Sequence, residues 1–203
     1  MIKIIIFDLG NVVLANDWHH QYVQIYEDFS NYFNISYDNM ERAWYAFWPQ
    51  FKLGKMTEEE FWERFLQKAG AKNIDINHAK KLWRKYQHSI ENMLDLLKKL
   101  KEHYRLAALA NAGKEWLDHK KEKFRLNSYF EVIIGSGHVG LAKPDPKFYD
   151  LILKELKTDP KECLFVDDKE RSLVPAEKLG MQTILFTNQK QLEKDLINLG
   201  IKF

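Results

Sequence analysis

Three aspartates follow two short apolar segments of the chain, at points where buried strands would end. Asp8 directly follows the segment IIIF, and Asp167 and Asp168 follow LFV. A carboxylate that ends a buried strand is costly unless it has a partner or a task. Because adjacent like charges disfavour each other's ionisation, the Asp167-Asp168 pair indicates a cation nearby. Oxygen ligands of this kind suit Mg²⁺, which keeps several of its waters.

An asparagine and a lysine follow two further apolar segments. Asn111 directly follows the segment LAALA, and Lys143 comes shortly after the segment VII. In an open parallel sheet, ligands bind beyond the carboxyl ends of the strands. We therefore expect one crevice that holds these two side chains together with Asp8, Asp167 and Asp168. Taken alone, Asp168 is better interpreted as the N-cap of the next helix, but its place on this rim reverses that choice.

The elements that would position these groups alternate between strands and helices. Segments too short for a helix indicate strands buried on both faces, at 2–7, 106–110, 132–134, 164–166 and 183–186. Helical periodicity separates them, at 91–103, 146–156, 172–179 and 190–199. The alternation predicts an α/β protein whose parallel sheet is built from right-handed crossovers.

The long stretch between the first two strands breaks this alternation. It contains segments of helical periodicity at 22–33, 37–51, 57–68 and 78–87. Thr57 and Glu60 have the spacing of a capping box, and Gly70 would end that helix. A crossover needs only about a dozen residues, so the excess predicts a helical insert, residues 15–87, in a core formed by 1–14 and 88–203.

Five of the six tryptophans lie in or beside this insert. Trp44 and Trp48 share a helical face with Phe47 and Phe51. The simpler interpretation is a small helical core. The alternative is that one or two tryptophans line a ligand cleft, since clefts favour domain junctions and aromatic walls.

Composition and charge exclude several classes of protein. The 203 residues carry 31 basic and 29 acidic side chains, a net charge of +2, which gives no reason to expect a nucleic-acid or polybasic membrane protein. The cluster Lys120, Lys121 and Lys123 fits a solvated helix face. No segment approaches the ~18 apolar residues of a membrane span. The single cysteine, Cys163, indicates a reducing compartment, and we expect a cytoplasmic protein.

Four short motifs occur in order along the chain: FDLGNVV at 7–13, LAN at 109–111, GLAKPDP at 140–146 and FVDD at 165–168. This order resembles the four motifs of the haloacid dehalogenase superfamily of hydrolases, and the resemblance covers nearly the whole chain. It implies a Rossmann-like core with an inserted helical cap of the C1 type. Four motifs with the insert in the right gap are a specific pattern. DLGNV is similar to the first motif of sugar-1-phosphate phosphatases.

The resemblance implies a role for each site residue. Asp8 would be the nucleophile that forms an aspartyl-phosphate, and Lys143 would hold the phosphoryl oxygens. Asp8, Asp168 and the main-chain carbonyl of Gly10 would bind Mg²⁺, and Asp167 would support these ligands.

The resemblance also implies how the substrate is bound. Asn111 and its neighbouring amides would bind phosphate together with Lys143. The insert would close over a small phosphomonoester of the sugar phosphate type and exclude water.

The chain departs from the family's pattern at three positions. Gly10 stands where the family has an aspartate that serves as acid and then base, a role worth roughly 10²–10⁴ in rate. Asn11 replaces a glycine, and asparagine is the next most tolerant residue of positive φ. Ala110 replaces a serine or threonine, so a hydroxyl contact to phosphate is missing.

A replacement acid would have to come from elsewhere in the chain. Asp17, His19 and His20 lie near the start of the insert, and His138 precedes Lys143. For all four, a solvated loop is the simpler interpretation. An anomeric sugar phosphate would need less help, because its leaving group is relatively acidic.

Two other functions stay open. A metal-independent 2-haloacid dehalogenase needs no acid at position 10, because halide leaves without a proton, but the Asp167-Asp168 pair argues against it. A catalytically impaired binding protein on this fold is favoured by Gly10 and Ala110 and opposed by the retention of Asp8.

Overall fold

The structure is a computed structural model that describes residues 1–15 and 23–203, with the backbone alone for Val23. Its strands are β1 (Ile4–Phe7), β2 (Leu14–Ala15), β3 (His88–Ser89), β4 (Arg105–Ala110), β5 (Val132–Gly135), β6 (Cys163–Asp167) and β7 (Gln182–Leu185). Five of them form a parallel sheet in the order β5-β4-β1-β6-β7. The predicted α/β class and all five predicted strands are confirmed.

Helices follow the strands along the chain. They are α1 (Val23–Phe33), α2 (Tyr37–Phe51), α3 (Glu58–Ala69), α4 (Ile76–Lys85), α5 (Met93–Lys101), α6 (Lys114–Lys123), α7 (Ser136–Val139), α8 (Pro146–Leu156), α9 (Glu170–Leu179) and α10 (Gln189–Asn198). Short 3₁₀ turns lie at Leu126–Ser128 and Pro160–Glu162. In the described part of the chain, no helix has the length and apolar character needed to cross a membrane.

The sheet is buried on both faces, as its apolar strands require. Alternate residues point to opposite sides: Phe7 belongs to one buried cluster with side chains of α5, α6 and α10, whereas Ile6 belongs to another with side chains of α8 and α9. The central strand β1 is fully buried along its length. A three-layer Rossmann-like fold results, with the carboxyl ends of the parallel strands along one edge.

Helices α1 to α4 form the helical insert, which packs around its own cluster of buried aromatic side chains. Strands β2 and β3 pair antiparallel, Ala15 beside His88, and so bring the two ends of this segment together. The capping box predicted at Thr57 and Glu60 is present, and Gly70 ends α3 with a φ of 80°. The predicted ends of all four helices thus lie within two residues of the observed ends.

Helix α6 is an element that the sequence analysis missed. Its residues KEWLDHKKEK are charged on almost every side, so no apolar stripe marks it. Its few buried side chains include Trp116, which packs into the aromatic cluster of the helical insert. Helix α6 therefore joins the core to the insert.

Candidate active site

The parallel register brings the predicted aspartates together. Phe7 lies beside Val166, and the backbone N–H of Asp8 donates to the carbonyl of Val166 at 2.8 Å. Asp8 therefore lies next to Asp167 at the carboxyl ends of neighbouring strands. One carboxylate oxygen from each of Asp8, Asp167 and Asp168 lies within 4.8 Å of the other two. The predicted crevice is present at this edge.

Lys143 places its ammonium between two of these carboxylates. Its Nζ lies 2.9 Å from Oδ1 of Asp8 and 2.5 Å from Oδ2 of Asp167. The side chain of Lys143 is 3% exposed, that of Asp167 1% and that of Asp8 11%. Charges removed from water to this extent are tolerated only when they are paired. The three residues therefore form one buried ion cluster.

The environment opposes ionisation of Asp8 and favours that of Lys143. Burial raises the pKa of Asp8 above its ordinary value of 3.8, Lys143 counteracts this, and Asp167 adds to it. Burial also opposes the charge of Lys143, but Asp8 and Asp167 outweigh it and raise the pKa of the ammonium. Lys143 is therefore the cation that keeps a carboxylate ionised here.

Asn111 fixes the backbone of Lys143. Its Oδ1 accepts from the backbone N–H of Lys143 at 2.8 Å, and its Nδ2 donates to the carbonyl of Lys143 at 2.9 Å. The sequence indicated a phosphate contact for Asn111 and missed this positioning role. The neighbouring N–H of Ala112 donates to Oγ of Ser136 at 2.9 Å, so one of the amides predicted for phosphate already has a partner.

Asp168 does not cap the following helix. The N-cap of α9 is Lys169, which makes no side-chain cap hydrogen bond. Oδ1 of Asp167 accepts from the backbone N–H of Lys169 at 2.9 Å instead. The Asp168 side chain is 17% exposed and lies 4.0 Å from the ammonium of Lys169. The helix-cap interpretation, which the sequence analysis set aside, is thus contradicted.

The conformation of the loop after β1 is the one that its residue types favour. Oδ1 of Asp8 accepts from the backbone N–H of Leu9 at 2.7 Å. Asn11 has a φ of 59°, the left-handed conformation that its replacement of glycine predicted. The N–H of Asn11 donates to the carbonyl of Leu14 and closes the loop. Gly10 lies within this loop and lines the cavity beside Asp8.

The donor set of the aspartates fits a hard divalent cation, because it offers three carboxylates close together on one edge. Both oxygens of Asp167 are already engaged, one with Lys143 and one with the backbone of Lys169. Asp8 and Asp168 are therefore the better candidates for direct ligands, and Asp167 for support.

A cavity of about 110 Å³ opens over Asp8 and Lys143. Four tryptophans line it, Trp44, Trp48 and Trp83 from the insert and Trp116 from α6. Their indole rings contact one another, with centroids 5.2 Å apart for Trp44 and Trp48 and 4.4 Å for Trp83 and Trp116. The sequence analysis left open a cleft role for one or two tryptophans and did not consider Trp116.

Two basic regions of the cavity wall were also missed. Lys120 is 4% exposed and lines the cavity, so the solvated face expected for it is wrong. Its burial on α6 was hidden because that helix carries no apolar stripe. Lys52, Lys169 and Arg171 line another part of the wall.

The candidate replacement acids have different outcomes. Asp17, His19 and His20 lie outside the described residues. His138 does not line the cavity, and its Nε2 lies 2.9 Å from Oδ1 of Asp118 on the neighbouring helix α6. His138 is exposed, as the simpler interpretation expected, but it lies in the short helix α7 and not in a loop.

Comparison with known proteins identifies the family. The model of the haloacid dehalogenase-like hydrolases matches residues 5–186, so the chain belongs to this family. It is 26% identical over 202 residues to the chloroplast flavin mononucleotide hydrolase 1 of Arabidopsis thaliana, covering 98% of this chain and 78% of that protein. It is 24% identical over 204 residues to D-ribitol-5-phosphate phosphatase of Bacteroides thetaiotaomicron, covering 97% of each. Of two other curated relatives it spans only 30% and 16%.

Solved structures of the family share the fold. The haloacid dehalogenase family enzyme BT-2542 of Bacteroides thetaiotaomicron, in complex with magnesium and inorganic phosphate, superposes with a TM-score of 0.78, 25% identity and coverage of 93% of this chain and 96% of that one. L-2-haloacid dehalogenase of Xanthobacter autotrophicus superposes with a TM-score of 0.68 at 16% identity, covering 100% and 85%. The second likeness concerns the fold alone.

Proposed function

We propose that the protein is a Mg²⁺-dependent phosphatase that hydrolyses small phosphomonoesters through an aspartyl-phosphate on Asp8. One observation carries the proposal: the Asp8 carboxylate faces a cavity with the Lys143 ammonium 2.9 Å away and two further carboxylates beside it. The phosphatase activity named for one relative, and the magnesium and phosphate bound by BT-2542, support it.

The chain's own residues would carry the reaction as follows. A carboxylate oxygen of Asp8 attacks phosphorus, the bond to the ester oxygen breaks, and the alcohol leaves with a proton from solvent or from a group of the protein. Water then attacks the acyl phosphate, which releases inorganic phosphate and restores Asp8. Lys143 favours the ionised form of Asp8 and neutralises charge on the phosphoryl oxygens. Asn111 holds Lys143 in place and lines the same cavity.

Asp8, Asp168 and the carbonyl of Gly10 would hold Mg²⁺, with Asp167 in support. When bound, the cation would supply positive charge beside the transferred phosphoryl group. Because Gly10 carries no acid, the enzyme would favour phosphomonoesters with acidic leaving groups, such as anomeric sugar phosphates.

The insert, residues 15–87, would act as the cap of a core formed by 1–14 and 88–203. Three observations support this role: the pairing of β2 with β3 at its two ends, its own aromatic cluster, which only Trp116 of the described core residues joins, and its tryptophans in the wall of the cavity over Asp8. A cap in this place would shield the acyl phosphate from bulk water. We infer that the partner is a small phosphorylated metabolite of the cytoplasm.

A panel of phosphorylated metabolites tests the proposal. We expect phosphate release from at least one of them with Mg²⁺, loss of this activity in EDTA and its loss in Asp8→Asn. Asp150→Asn, an exposed position on α8, is the matched control and should keep wild-type rates.

The same panel decides between the other functions. Metal-independent release of halide from 2-haloacids would favour a dehalogenase instead. Binding of phosphorylated ligands without turnover of any panel member would favour a catalytically impaired binding protein.

A further inference from the structure

Three basic side chains converge on the cavity where the insert meets the core. Lys52 follows α2 of the insert, whereas Lys169 and Arg171 lie at the start of α9, and all three line the cavity. In the described ranges, no ion pair joins Lys52 or Arg171 to an acidic side chain. Lys169 lies no closer than 4.0 Å to Asp168. Like charges held together repel one another, and an anion between them would remove that cost.

Charge effects agree with this placement. Partial burial lowers the pKa of Lys52, and the neighbouring Arg171 and Lys169 lower it further. The insert side and the core side of the cavity wall therefore both carry positive charge.

The backbone of Lys52 is fixed to the core. Oγ of Ser136 donates to the carbonyl of Lys52 at 2.6 Å, and it accepts from the N–H of Ala112 at 2.9 Å. Ser136 is fully buried. The backbone that carries Lys52 is thus held by Ser136, which follows β5 and is itself bonded to the loop after β4.

A close backbone contact beside Lys52 reinforces this docking. Gly54 has a φ of 69°, and a Cβ there would lie 2.2 Å from the carbonyl oxygen of Gly137. A Cβ on Gly137 would in turn lie 2.5 Å from the backbone nitrogen of Lys114. Only glycine allows the chains to approach this closely. The turn that carries Lys52 is therefore seated against the core.

We propose that Lys52, Lys169 and Arg171 form a second anion subsite, which selects phosphomonoesters whose leaving group carries another anionic oxygen group on a short chain. The proposal rests on the phosphatase function above. Lys143 and the carboxylates serve the transferred phosphoryl group, so these three cations remain for another part of the substrate. Lys52, Lys169 and Arg171 line the same cavity as Asp8 and Lys143, so the chain between the two anions is short.

Matched pairs of esters test the selection. Phosphoglycolate is compared with 2-hydroxyethyl phosphate, and 3-phosphoglycerate with glycerol 3-phosphate. A third pair, 1,3-propanediol bisphosphate and 3-hydroxypropyl phosphate, distinguishes a second phosphate from a carboxylate. We expect kcat/KM to be roughly 10- to 100-fold higher for the anionic member of at least one kind of pair, the effect of one charge-assisted hydrogen bond.

Variants assign that preference to the subsite. Lys52→Met and Arg171→Gln should each reduce the preference at least about tenfold, mainly through KM for the anionic ester, with little change for its neutral partner. Lys55→Met, in the same turn, and Lys178→Gln, on α9, are exposed positions outside the cavity and serve as controls. Both should keep the wild-type preference.

Binding separates this proposal from the phosphatase function. Calorimetry with Asp8→Asn measures the affinity for each pair without turnover, and the Asp8→Asn/Lys52→Met variant should lose the preference for the anionic member. If no ester is hydrolysed but this binding preference is found, the phosphatase function fails and the subsite stands. Equal affinity and kcat/KM within every pair would overturn the subsite. So would an equal loss for both members in Lys52→Met, which would assign Lys52 to the transferred phosphate.

Discussion

Replacing Lys143 by methionine tests the buried ion cluster most directly. The substitution keeps the length of the side chain and removes the cation that lies 2.9 Å from Asp8 and 2.5 Å from Asp167. Removing one partner of a buried ion pair costs about 3–5 kcal/mol, because the other charge stays buried without compensation. We expect a loss of free energy of unfolding in this range at pH 7 in metal-free buffer.

The dependence on pH distinguishes this mechanism from a general packing defect. The folded-state pKa of Asp8 is raised already, and losing Lys143, which lowers it, raises it further. A carboxyl group whose pKa is higher in the folded state stabilises the fold at pH values below its pKa in the unfolded state. This contribution is lost as pH rises through its pKa in the folded state. The deficit of the variant should therefore be smaller at pH 5 than at pH 7.5. Mg²⁺ should stabilise the variant, by about 2.7 kcal/mol at a concentration 100 times Kd.

Urea unfolding followed by circular dichroism measures these free energies, at both pH values and with and without Mg²⁺. Lys147→Met, exposed at the start of α8, is the control and should stay within about 0.5 kcal/mol of wild type. A Lys143→Met protein as stable as this control at pH 7.5 would refute the reasoning. A deficit that does not change with pH would show that lost packing, not charge, is the cause.

Three further predictions concern single positions. Asp168→Ala should weaken Mg²⁺ binding and turnover together. Asp167→Ala should mainly lower stability, because Asp167 contacts Lys143 and the Lys169 backbone. Magnesium titrations and urea unfolding of both variants separate the two effects. Gly10→Asp should raise turnover of alkyl phosphates by up to roughly 10²-fold, and a folded variant with the wild-type dependence on leaving-group acidity would contradict a limiting role of Gly10. Burial raises the pKa of Cys163 from 9.0 to about 11, so its thiolate fraction at pH 8 falls about 100-fold; iodoacetamide should label it only after denaturation, as mass spectrometry would detect.

The strands and most helices were predictable because each has a single local pattern. The four residues of β1 are all apolar and fully buried. The residue types and spacing of Thr57 and Glu60 predict the capping box of α3. Helix α6 was not predictable in this way. Its buried side chains contact two different cores, Leu117 the sheet and Trp116 the insert, so neither contact gives it a continuous apolar stripe.

The positions of the aspartates in the site were predictable because these residues lie at the ends of strands. Asp8 and Asp167 follow paired strands, and parallel register alone makes them neighbours. Apart from Lys143, the basic groups of the cavity wall were not predictable, because Lys52 at the end of α2 and Lys120 in α6 reach the cavity only through tertiary contacts. Spacing along the sequence does not show that Lys52 of the insert shares a cavity with Arg171.

The short loop after β4 connects the core to the insert at the site. The side chain of Asn111 holds the backbone of Lys143, the cation of the buried cluster. The next residue, Ala112, donates its N–H to Ser136, which holds the carbonyl of Lys52. Two adjacent residues thus fix one cation of the core and one cation of the insert. Any shift of this loop would move both, so the position of the insert and the geometry around Asp8 are mechanically linked through two hydrogen-bonded paths.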